Sequence, residues 1–239
     1  MDRRRPRQLD LPALQTWGGR RAGAGRKPAA CVRPGPPHAR RPAHHGRHPV
    51  HVTLRTRPGV SSLRSNAAFR ELTRALTRSS RRAFRLTQFS VQTDHLHLIV
   101  EAESATTLIR GVQGLAVRCA RAVNRAGHRR GPVWIHRYHA HALHTPREVR
   151  HALVYVLLNF RKHLRAGPGI DPRSSGPWFD GWAHPPPAPS ATSPVASPRT
   201  WLGTVGWRRA GGAIDRREAP AAPPPRPPMT STRRFAIPA

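Results

Sequence analysis

Acidic residues are scarce in this 239-residue chain: 11 Asp and Glu stand against 42 Lys and Arg, for a formal net charge of +31. A balance that one-sided draws a protein toward polyanions, nucleic acid first, and says nothing about its fold. Lysine is almost missing, with Lys27 and Lys162 alone, so the competing explanation is a composition biased toward Arg, Ala, Pro and Gly. Cysteine is limited to Cys31 and Cys119, which cannot make a disulfide framework and fit a reducing compartment. No apolar run reaches the length of a membrane span, and none of signal-peptide length follows the basic residues after Met1. The expectation is a soluble, cytoplasmic protein associated with DNA and without a membrane partner.

The 27 prolines and 19 glycines lie mainly at the two ends, which leaves the apolar periodic sequence in the middle. Residues 1–47 carry twelve Arg or Lys against Asp2 and Asp10, too little apolar surface to offset ordering entropy, and read as a flexible basic arm. Residues 169–239 read as a Pro-rich, largely irregular tail. Two aromatic islands interrupt it, from Trp178 to Trp182 and from Trp201 to Trp207. They are expected to dock on the core, with stacking on bases as the alternative.

Between the arms, residues 48–168 change period in an ordered way. Residues 48–56 alternate as a strand with Val50, Val52 and Leu54 on one face, and 66–82 follow as a helix with Phe69, Leu72, Leu76 and Ala83 inward. Residues 84–92 are a second strand, and Thr93-Asp94 turns into a third over 95–101. Ser104 caps a helix to about Gly127, with Cys119 in its apolar stripe, and 132–143 read as a fourth strand. Thr145-Pro146-Arg147-Glu148 supplies a cap, a helix-starting proline and a capping-box glutamate for a last helix to about Leu164. The fold class is therefore α+β: a ferredoxin-like βαββαβ four-stranded antiparallel sheet with helices on one face, plus an extra C-terminal helix.

Within Gln92-Thr93-Asp94-His95-Leu96-His97-Leu98, His95 and His97 are two apart on a strand and point to the same face. They make half of a metal site, and a hard divalent ion needs further ligands and an open position. Tyr155 and Asn159 are one turn apart on the last helix, off its stripe of Val149, Leu153, Val156 and Phe160. An aromatic hydroxyl beside a divalent ion is a candidate nucleophile, and an amide oxygen is a suitable hard ligand. Among 15 histidines a chance pair is the competing reading, and His139-Ala140-His141 is a rival pair of equal spacing. Tyr138 is the rival nucleophile, otherwise expected to pack or to stack on a base. Arg137 and Lys162 are candidates for phosphate contact or for solvated charge, and His141 for an assisting or DNA-contacting role. Asp94 is read as a turn residue facing solvent, with approach to the ion as the alternative.

Three blocks together resemble the REP-associated tyrosine transposases of the single-tyrosine HUH superfamily. His95-Leu96-His97 matches the His-hydrophobic-His motif, Val133-Trp134-Ile135-His136-Arg137-Tyr138 is similar to the family's segment of Trp followed by Arg and an aromatic, and Tyr155-Val156-Leu157-Leu158-Asn159 is similar to the helix motif. The chain departs in having Phe160 where the family often has proline, and Asp94 where it commonly has Asn or Glu. The resemblance implies a catalytic C-terminal helix with Tyr155 as nucleophile, and His95, His97 and Asn159 as ligands of Mg2+ or Mn2+. It also implies single-stranded DNA with hairpin structure as partner, a covalent 5'-phosphotyrosine intermediate, and nicking and joining of palindromic repeat DNA. Whether such a protein acts as a monomer or a homodimer stays open. The alternatives are a non-catalytic or co-opted single-stranded nucleic-acid-binding protein and, with no paired cysteines to complete it, a structural zinc site.

Overall fold

Four antiparallel strands form one sheet in the order β2-β3-β1-β4: β1 Val50–Arg55, β2 Phe84–Val91, β3 His95–Ala102 and β4 His139–Ala142. The structure is a computed structural model, and it describes residues 43–161 and 167–220. Helices α1 (Asn66–Thr77) and α2 (Ala105–Ala126) pack on one face, and α3 (Pro146–Leu158) on the other. This is the ferredoxin-like order that the sequence predicts, with the extra helix on the opposite side. Period-two alternation sorts the strands between the faces. Val50, Val52, Leu54, Leu96, Leu98 and Val100 enter the core under α1 and α2, while His51, Thr53, His95, His97 and Ile99 take the other face.

Three elements are shorter than their sequence patterns. The helix expected over 66–82 ends at Thr77, because the Ser79 hydroxyl donates back to the Ala75 carbonyl at 2.7 Å and the Ser80 hydroxyl accepts from the Leu86 N–H. The strand expected over 132–143 is reduced to four residues. Thr56 pairs with Trp134 and Thr53 with His139, so three steps along β1 face five on the returning chain, and the surplus leaves residues 135–138 as a bulge. The last helix stops at Leu158 with Asn159 as its cap, and residues 160 and 161 are helical again. The remainder of that expected helix, with Lys162, lies outside the described residues, as do residues 1–42 of the basic arm and 221–239 of the tail.

From 167 to 220 the backbone is mostly irregular, yet its hydrogen bonds go to the sheet and to α3. The Val91 N–H donates to the Arg173 carbonyl, Ser175 N–H to Phe89 and Ala196 N–H to Leu86, which covers the open edge of β2. Both aromatic islands dock: Phe179, Trp182, Leu202 and Trp207 pack on α3, so that helix is buried between sheet and tail. That sandwich explains why Val154, Leu157 and Leu158 are apolar although they lie off the predicted stripe. At its N-terminal end, α3 is tied to the tail by the Arg150 guanidinium, which makes two bonds of 2.7 and 2.8 Å to Glu218.

The segment is pinned near its start by a fork. Arg64 Nη1 and Nη2 each donate to an Asp171 carboxylate oxygen at 2.8 Å, and Arg64 also donates to the Val91 carbonyl. Asp171 is fully buried. Removing one partner of such a pair leaves an uncompensated buried charge at a cost of about 3–5 kcal/mol. Asp171→Ala should therefore lower the unfolding free energy by that order in denaturant titration, and Arg64→Met/Asp171→Leu should recover part of the loss.

Candidate functional site

The face opposite α1 and α2 gathers five histidines because three strands present alternate residues there. On β1, His51 lies opposite His141 of β4 and beside Ile99 of β3, and Thr53 lies between His139 and His97. The β3 pair His95 and His97 stand with ring centroids 4.6 Å apart. Above them α3 carries Tyr155, whose ring centroid is 5.0 Å from that of His97 and 5.7 Å from that of His51. One turn later Asn159 is fully buried, with Nδ2 donating to His97 Nε2 at 3.3 Å. The structure thus brings together His95, His97, Tyr155 and Asn159 from positions more than fifty residues apart.

Both paired histidines are held from behind. Asp94 Oδ1 accepts from His95 Nδ1 at 2.6 Å, and its second oxygen accepts from Arg55 at 2.9 Å. Asp94 is therefore a partner of the pair, against the expectation that it faces solvent alone. Burial raises its carboxyl pKa, but bonding to His95 and Arg55 outweighs this and leaves it below the ordinary value. His97 Nδ1 lies 3.2 Å from His51 Nε2 and 3.3 Å from Thr53 Oγ1. Burial, with His139 and His141 nearby, pushes His51 down to about 4, so His51 is neutral at neutral pH and can accept from His97 Nδ1–H. The tautomer that follows puts the His97 lone pair on Nε2, which also suits the bond from Asn159. Imidazoles fixed through Nδ1 by a carboxylate or hydroxyl present Nε2 to a metal ion.

A divalent cation fits this donor set on one further observation. Asn159 Oδ1 is buried and has no hydrogen-bond partner, an arrangement that costs about 1–3 kcal/mol unless something binds it. Among the described residues, no group of three His, Cys, Asp or Glu side chains could hold a metal ion. A cation here would take its third protein donor from the amide, and at His97 Nε2 it would replace the bond from Asn159 Nδ2. Tyr155 is partly exposed and reachable, and burial of the rest of its ring raises the phenol pKa, with Asn159 partly opposing that shift.

The other predicted residues divide by face. His141 is exposed on β4 on the site's side, across from His51, and its neighbour His139 lies across from Thr53. Arg137 is exposed in the bulge. Tyr138 packs against the core under α1 and α2, on the far side of the sheet from Tyr155. His51 and Thr53 are the residues that sequence reasoning missed. Their signal was the alternation of β1 itself, which places them opposite Val50, Val52 and Leu54.

No family model and no curated protein matches the chain. A solved structure described as that of the REP-associated tyrosine transposase bound to a REP hairpin is similar to it at 20% identity and a TM-score of 0.44, over 53% of this chain and 74% of that one.

Because the Asn159 oxygen is unsatisfied, removing the amide should cost little in fold stability. Asn159→Leu in metal-free buffer is expected to change the unfolding free energy by less than about 1 kcal/mol, the buried oxygen's penalty offsetting the broken bond to His97. Leu157→Ala, two residues earlier in the same core, should cost about 2–5 kcal/mol in the same titration.

Proposed function

We propose that the protein is a divalent-metal-dependent single-strand DNA endonuclease and strand transferase acting through Tyr155. The observation that carries this reading is the convergence of a partly exposed tyrosine and a buried, unsatisfied amide, one helical turn apart, over a histidine pair braced from behind. His95, His97 and Asn159 would hold Mg2+ or Mn2+, which when bound supplies Lewis-acid stabilisation of charge on a scissile phosphate.

The chain's own groups define the rest of the step. A phenol is protonated at neutral pH, and burial of Tyr155 raises its pKa further, so the nucleophile is held back in the free protein. On attack the phenol oxygen loses its proton and bonds to phosphorus, and the bond from phosphorus to the 3'-oxygen breaks. The leaving oxygen takes up a proton and becomes a free 3'-hydroxyl. The 5'-phosphotyrosine retains the energy of the broken bond, so a second 3'-hydroxyl can displace Tyr155 and rejoin a strand without ATP. The resemblance of the three sequence blocks supports hairpin-bearing, palindromic repeat DNA as substrate, and the charge of +31 supports a polyanion. Neutral His51 and Thr53 orient His97, and Asp94 orients His95.

Labelled single-stranded hairpin oligonucleotides incubated with the protein and Mn2+ should give a covalent protein–DNA band on a denaturing gel. That band should vanish with Tyr155→Phe or with chelator. Binding across a broad oligonucleotide panel with no such band would instead favour a non-catalytic single-strand binder on the same fold.

A further inference from the structure

We infer that a basic concavity at the C-terminal end of α2 binds the phosphodiester backbone of a nucleic acid strand. The strand-transfer reading enters only in taking that strand to be DNA. Arg121 and Arg125 are one turn apart on the last part of α2, and His128 follows just past its cap. With Arg129 and Arg130 they line, beside Asn124 and Gly131, an open hollow of about 670 Å³.

The hollow is shaped before any ligand arrives. His128 turns the chain with a positive φ of 47°, and Arg129 N–H donates to the Asn124 carbonyl at 2.9 Å. The Asn124 side chain donates to the Gly131 carbonyl at 2.9 Å and accepts from Arg129 Nη1 at 3.1 Å. Its charge is largely unopposed. Arg125 has a carboxylate partner in Glu71, which Arg74 shares, whereas none of the ion pairs among the described residues includes Arg121, Arg129 or Arg130. Cations suit a helix C-terminus, but like charges one turn apart disfavour the helix, so the repulsion between Arg121 and Arg125 offsets part of that gain in the free fold. A row of phosphates supplies the missing counter-charge, and planar guanidiniums bind phosphate oxygens in pairs.

Position links this hollow to the candidate site. Two residues past Gly131, the Val133 carbonyl accepts from Arg57 N–H at 2.8 Å and Trp134 pairs with Thr56. That is the end of β1 where Arg55 reaches Asp94 beside His95. The hollow and the histidine face therefore share one end of the sheet, and exposed Arg57 and Arg137 lie on the connecting edge. A strand cleaved at Tyr155 would pass over that edge into the hollow.

The test is equilibrium binding of a labelled single-stranded DNA oligonucleotide and the same sequence in RNA, over a salt series, with the full chain. Arg121→Ser/Arg130→Ser removes two exposed guanidiniums that take no part in the histidine–tyrosine site. The dependence of log affinity on log salt should become shallower by roughly 1.4, at ~0.7 for each phosphate no longer neutralised, with affinity down on the order of tenfold and the melting temperature unchanged or higher. Arg78→Ser/Arg82→Ser removes equal charge from exposed positions at the opposite end of the sheet and should change the slope by less than half as much. Equal slope changes in the two variants, or a wild-type slope in the first, would overturn the inference. A shallower slope with no Tyr155-dependent adduct, or one seen with RNA alone, would uphold the hollow and sink the strand-transfer reading. An adduct with a wild-type slope would do the reverse.

Discussion

The contact between Asn159 and His97 is the constraint on which the rest of this structure turns. A neutral amide, fully buried, meets an imidazole sixty-two residues away at 3.3 Å while its oxygen has no hydrogen-bond partner. A core selected for stability alone would replace that amide with an apolar side chain. Keeping it requires α3 to lie on the histidine face, held so that Tyr155 and Asn159, one turn apart on the same side of the helix, both meet His97.

Two devices hold α3 there. On the sheet side, Ile99 of β3 and Leu143 after β4 share a core with Val149, Leu153 and Val156. On the outer side, the irregular segment to residue 220 lays Phe179, Trp182 and Trp207 across the helix and ties Arg150 to Glu218. The same segment, anchored through Arg64 and Asp171, closes the edge of β2. A Pro-rich sequence that forms almost no regular structure thus holds the tyrosine helix on the sheet.

Most of the fold was legible because it rests on local periodicity. The alternation of β1 and β3, the stripe of α2 and the capping box before α3 each specify an element from neighbouring residues alone. What escaped depends on distant partners. The two-residue surplus opposite β1 that reduces β4 to His139–Ala142 is set by how Trp134 and His139 find their registers. The end of α1 is set by serine hydroxyls whose choice of partner has no periodic signature. In the site, spacing alone paired His95 with His97 and Tyr155 with Asn159. The bracing of His97 by His51 and Thr53 needed the strand register, although β1's own pattern already turned both toward the same face, whereas Asp94 braces its sequence neighbour His95.

The central claim is that His95, His97 and Asn159 form one cation site beside the tyrosine. Pulsed electron paramagnetic resonance of Mn2+ bound to the protein tests it most directly, by resolving nitrogen couplings from coordinated imidazole. Two imidazole nitrogens are predicted, falling to one in His97→Ala, with Asn159→Ala binding the ion at least about tenfold more weakly. Mn2+ that shows no imidazole coupling, or whose coupling is untouched by His97→Ala, would contradict the account.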